Sequence, residues 1–158
     1  MDGGRFARGF GWGVGATVAM SALMIIGMLT GVAPMPKPIP AAIVGKLTGG
    51  SLPQAATMAL AVVLHLGYGG FWGGVFAGFA RRVTVWRGVG LGVVLWLVMQ
   101  VAVLPFLGWG AFGTAQTPKI AIATLVLHLV YGATYGWLMD RNATGAAGQS
   151  EPRRGSDA

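Results

Sequence analysis

The sequence predicts an all-α membrane protein with four transmembrane helices arranged as two tandem, parallel-repeat helical hairpins. Three observations support this. The chain is 54% hydrophobic and 9% charged, with a mean hydropathy of +0.67, outside the range of ordinary soluble domains. Four apolar runs, at about 10–33, 54–79, 88–109 and 118–139, are each long enough to cross about 30 Å of hydrocarbon, which takes roughly 20 residues at helical rise. Finally, Leu64-His65-Leu66-Gly67-Tyr68-Gly69 returns as Leu127-His128-Leu129-Val130-Tyr131-Gly132, and Gly73 and Gly136 extend the match.

The first run follows a short cytoplasmic N-terminus, residues 1–9. Its opening, Arg8-Gly9-Phe10-Gly11-Trp12-Gly13-Val14, recurs as Arg87-Gly88-Val89-Gly90-Leu91-Gly92-Val93 at an offset of 79, whereas the histidine motif repeats at an offset of 63. The first helix therefore pairs with the third and the second with the fourth, and the difference in offset reflects a longer first loop. Two helices per unit give both units the same sense, hence a pseudo-two-fold axis along the membrane normal. The alternative, a cleavable signal peptide, is weaker because the run is long and its start recurs later. Most of the 28 glycines fall inside these runs, where lipid enforces helix and glycine permits close helix contact. No strand-length alternation points to a β-barrel.

The extracytoplasmic loop, 34–53, opens on alternating prolines from Pro34 to Pro40, an extended strap. Ala41 to Leu47 then reads as a short interfacial helix with Ile43, Val44 and Leu47 toward lipid and Lys46 snorkelling. A tether on the bundle is the simpler role, a gating lid the alternative. Trp12, Trp86, Trp109 and Trp137 fall near span ends as interfacial anchors, while Trp72 and Trp96 lie deeper, between helices. Pro105 should kink the third span near its outer end, and Thr117-Pro118 offers the fourth a cap and a first-turn proline. The tail, 140–158, is too polar to fold and is expected to be disordered and cytoplasmic.

Charge sets the expected orientation. Arg5, Arg8, Arg81, Arg82, Arg87, Arg141, Arg153 and Arg154 fall on one side, against Lys37, Lys46 and Lys119 on the other. By the positive-inside rule both termini of a multi-pass inner-membrane protein are then cytoplasmic. The net charge of +7 is thus a matter of topology and gives no ground for a nucleic-acid partner; a polybasic lipid-contacting surface is a secondary reading.

Ser21, His65, Gln100 and His128 each lie near a helix midpoint, and polar groups at such depth usually face a bundle interior. They define an expected central polar layer, joined by Tyr68 and Tyr131 one turn toward the cytoplasm. The simpler role is interhelical hydrogen bonding; the functional one is a site for a small ligand, proton or metal. Gly69, Gly73, Gly132 and Gly136 share the histidine face and form expected helix-packing seams. No cofactor is required. Bis-histidine haem, ligated by His65 and His128 with the glycines admitting a macrocycle edge, is a minor alternative. So is Cu(I) along Met20, Met24 and Met28, since methionine is also a common gap filler.

Several chemistries lack their residues. Cysteine is absent, so disulfides and thiolate-bound metal play no part. No carboxylate lies within a span, which leaves no buried acid for proton coupling, no catalytic triad and no hard-cation cage. The glycine runs lack the lysine and strand context of a phosphate loop.

At Ala16-Thr17-Val18-Ala19-Met20-Ser21, the proline-bearing segment after the first helix and His65-Leu66-Gly67-Tyr68-Gly69, the chain resembles small bacterial and archaeal four-span proteins grouped as a domain of unknown function. The resemblance implies a four-helix inner-membrane protein and transfers no activity. The expected role is non-enzymatic: a small scaffold or accessory subunit contacting the bilayer and either itself, as a homo-oligomer, or a membrane-protein partner. The alternatives are a channel or carrier for a small solute through the His/Gln/Ser layer, and haem electron transfer.

Overall fold

The computed structural model describes residues 1–148, with side chains through Asn142. The described residues are helical, without strands, and four helices are long and apolar enough to cross a membrane. Helix α1 spans Gly3–Leu29. It begins before the predicted boundary because Asp2 caps it, accepting from Arg5 N at 3.0 Å, and it ends early because Gly31 turns the chain at φ +71°, a conformation glycine adopts without steric cost.

Helix α2, Ile39–Leu47, starts behind Pro38 and carries a proline in its first turn. It packs on α3, Gln54–Phe79. Val44, expected against lipid, is instead buried with Ala41 and Ala61: the two alanines let the short helix sit close enough to hide its valine, and Leu47 alone of the expected three is fully exposed.

The third span, Val85–Phe106, is composite: α4, Val85–Val98, then a π turn, Met99–Val103, then the short α5, Leu104–Phe106. Pro105 cannot donate to Val101, and the wider π turn, in which Leu104 N bonds Met99 O, absorbs that lost bond one turn earlier. One consequence is that the adjacent Met99 and Gln100 are both buried. Trp109 is buried rather than interfacial. The loop with positive φ at Gly108, Gly110 and Gly113 folds back, so that Trp109 N reaches Leu104 O and Ala115 N reaches Trp109 O.

Helix α6 spans Lys119–Gly148; Thr117 Oγ1 accepts from Lys119 N at 3.4 Å. It continues through the first residues of the expected tail, where Arg82 donates to Asp140 at 2.9 Å and Arg141 stacks over Trp137 at 5.3 Å. Residues 149–158, including Arg153 and Arg154, lie outside the described residues.

Helix α1 packs against α3, α4 against α6, and α1 also runs along α6, whereas α3 and α4 barely touch. Glycine sets the two hairpin crossings. A Cβ at Gly13 would sit 2.5 Å from Gly69 O, and one at Gly9 2.5 Å from Gly73 O. In the other hairpin Gly88 lies on Gly132 and Gly136, and Gly92 on the His128 carbonyl. The start of α1, the end of α3 and the α3–α4 connection meet at one end of the bundle, where Asp2 N bonds Gly78 O and Arg5 donates to Ala80 O.

Candidate functional site

A cavity of about 240 Å³ lies between α1, α3, α4 and α6, closed at one end by the strap and α2. His65 and His128 both line it. Each comes from the middle of its helix and turns inward, because a polar ring is disfavoured toward lipid. Met20 and Met24 from α1, Met35 from the strap and Met99 from the π turn supply flexible, apolar walls. Met28 is not part of the lining. Leu64 and Tyr68 line the cavity yet are 48% and 43% exposed, so its mouth opens through the wall of the bundle on the α3 side.

His128 Nδ1 lies 2.8 Å from Thr124 O. A carbonyl only accepts, so Nδ1 donates, and in the neutral ring Nε2 becomes an acceptor. His65 Nε2 is buried and has no partner among the described residues. Gln100, fully buried in the π turn, lies behind the cavity wall. Its Nε2 donates to Thr124 Oγ1 at 3.2 Å, Thr124 Oγ1 donates to Ile120 O at 2.7 Å, and Gln100 Oε1 is left without a partner. Thr124 thus joins Gln100 to His128 through one residue. Ser21 is half-buried in an adjoining groove with Val18, Ala22, Met58 and His65.

Tyr131 and Tyr68, equivalent in the sequence motif, do different things. Tyr131 is buried and donates to Gly69 O at 2.7 Å; Tyr68 sits at the cavity mouth with its ring edge-on to Trp72 at 6.3 Å. Tyr135 stacks on Tyr131 and donates to Gly73 O at 2.6 Å. Because Gly69 and Gly73 have no side chains, hydroxyls from α6 reach carbonyls that also serve their own helix, and these bonds join one hairpin to the other. Tyr135→Phe should therefore cost about 0.6–1.7 kcal/mol, the range for interhelical hydrogen bonds in membranes, read as a lower midpoint in detergent unfolding; an unchanged midpoint would show that this bond does not hold the hairpins together.

Thr124 and Tyr135 were not among the residues the sequence singled out, and Thr17 stood there only within the Ala16–Ser21 motif, with no role of its own. Thr17 is buried and donates to Gly13 O at 2.8 Å beside His65 and His128. The signal available was four-residue spacing: Thr124 precedes His128 by four, and Tyr135 follows Tyr131 by four, each pair on one helix face.

The glycine faces that a macrocycle edge would need are occupied. A Cβ at Gly69 would meet Thr17 and Tyr131, one at Gly73 would meet Gly9 and Tyr135, and one at Gly136 would meet Thr84 and Val85. With the cavity itself below the usual 300–1,000 Å³ of small-molecule sites, a haem does not fit between the histidines. Among the described residues no group of three or more His, Cys, Asp or Glu is placed to hold a metal ion.

Comparison with curated proteins and with solved structures finds no match. A family model does match, over residues 4–149, which takes in all four long helices and the cavity. The chain belongs to DUF6789, a family of unknown function.

Proposed function

We propose that this protein is an integral component of a cytoplasmic membrane, with both chain ends in the cytoplasm and a fold derived from a duplicated hairpin. Its role on this reading is to bind a small lipid-soluble molecule carrying a hydroxyl or comparable polar group, exchanged with the bilayer through the mouth beside Leu64 and Tyr68. The observation that carries the reading is one apolar cavity lined by two imidazoles, with His65 Nε2 buried and unpartnered. An unpaired buried polar atom costs about 1–3 kcal/mol, and a turn of the His65 ring that brings Nε2 to the cavity surface lets a ligand pair it and recover that cost. A hydroxyl both donates and accepts, so it matches the acceptor Nε2 of His128 and either state of His65.

The duplication is supported by the crossing residues: Gly9, Gly13, Gly69 and Gly73 correspond to Gly88, Gly92, Gly132 and Gly136 at the two sequence offsets. The orientation is supported by the arginines gathered at the end that holds the N-terminus. A scaffold or homo-oligomer drew its support from the glycine faces, and those contacts are used within the chain itself.

The test uses a diazirine-bearing decanol, with the matching decane as control, added to protein in lipid nanodiscs. The alcohol should label the wild type more than the alkane does, and His65→Leu should reduce that preference about threefold to tenfold, the worth of one hydrogen bond of about 0.5–1.5 kcal/mol. Equal labelling by alcohol and alkane in the wild type would refute the reading.

A further inference from the structure

At the end of the bundle away from the strap, a second concavity of about 260 Å³ is lined by Arg5, Arg8, Arg81, Arg82, Val83 and Met139. Its arginines come from the first turns of α1 and from the α3–α4 connection, with Met139 on α6 closing the far wall. Positive-inside bias places arginines on this side of the membrane, but does not require four of them to converge on one hollow. Two are held by the protein: Arg5 donates to Ala80 O, and Arg82 pairs with Asp140 at 2.9 Å. Arg87, alongside, donates to Arg82 O at 2.8 Å. Arg8 and Arg81 have no hydrogen-bond or ion-pair partner among the described residues. Among the described residues the acids at this end are Asp2, which caps α1, and Asp140, fewer than the arginines gathered there.

The depth of the hollow identifies the ligand's setting. Phe79, Trp86 and Trp137 are 72%, 83% and 50% exposed at this end of α3, α4 and α6, and exposed aromatic rings at span ends mark headgroup level. An arginine fork matches phosphate oxygens in a bidentate geometry that a lysine cannot reproduce.

We propose that this hollow binds a phosphate group at the membrane surface, the phosphodiester of an anionic phospholipid, with Arg8 and Arg81 as the recognising forks and Arg5 and Arg82 shaping the walls. The site is independent of the cavity between the histidines.

Native mass spectrometry of the delipidated full chain tests this, with phosphatidylglycerol and phosphatidylcholine offered together. Phosphatidylglycerol should be retained preferentially, and the Arg8→Gln, Arg81→Gln pair should weaken retention about 25-fold, at about fivefold per arginine near an anionic surface. Arg8→Lys with Arg81→Lys should restore part of it. Raised ionic strength should weaken retention by the wild type, a readout that needs no variant and so stands even where one fails to fold. Equal retention of the two lipids, salt-independent retention, or an unaffected glutamine pair would overturn the proposal. In a separate arm, inorganic phosphate that displaces phosphatidylglycerol and raises the melting temperature only when Arg8 and Arg81 are present would assign the site to free phosphate and overturn the lipid source.

Discussion

Gly136→Val and Gly73→Val are expected to cost about 3 kcal/mol each, the upper end of ordinary overpacking, or to prevent the protein from accumulating. A Cβ at Gly136 would lie 2.7 Å from both Thr84 O and Val85 Cα; one at Gly73 would lie 2.7 Å from Gly9 O and 3.0 Å from Gly13 Cα. These are backbone atoms, which cannot rotate aside as a side-chain tip would, so the helices must separate. Hydrophobic burial does not hold helices together in lipid; close packing and interhelical hydrogen bonds do. Separation at Gly73 would also strain the Tyr135 bond. Gly90→Val is the control, since a Cβ there meets nothing within 4 Å, and it should change stability by about 0.5 kcal/mol or less. Unfolding titrations in detergent decide the matter: if Gly136→Val matched Gly90→Val, α4 and α6 would not cross where the structure has them crossing.

Met24→Trp should abolish ligand capture and leave the bundle folded. Met24 is half-buried on α1 and faces both the histidine cavity and the neighbouring groove, so a larger ring has empty volume to enter and little packed structure to displace. A site of about 240 Å³ that depends on burying most of its ligand loses it when an indole takes that space. Labelling by the decanol probe should fall at least about tenfold, equivalent to 1.4 kcal/mol, with the unfolding midpoint shifted far less than by Gly136→Val. Undiminished labelling would put the probe somewhere other than between the imidazoles.

Four long helices were legible in the sequence because hydropathy and length are enough to specify them. Their ends were less so: the cap at Asp2, the turn at Gly31 and the fold-back at Trp109 depend on single side chains and φ values that hydropathy averages away. The π turn could be expected as a kink from Pro105 but not as a burial of Gln100, which follows from the local change of helical register. The two histidines and the crossing glycines stood out because they recur. Thr17, Thr124 and Tyr135 did not, because their counterparts at the same offsets are Trp96, Ala61 and Trp72. Looking for what the halves share favours symmetric features, and the network around the cavity is asymmetric: Tyr131 bridges the hairpins where Tyr68 opens to the surface. That α3 and α4 stay apart while α1 and α6 pack together belongs to the same asymmetry.

The most direct measurement is the position of probe adducts along the chain, mapped by peptide mass spectrometry after photolabelling with the diazirine-bearing decanol in nanodiscs. Occupancy of the histidine cavity predicts adducts concentrated at Leu64, Tyr68 and Met99. Adducts spread evenly over exposed apolar positions away from the cavity such as Val94 and Ile122, with the cavity residues labelled no more than these, would contradict it.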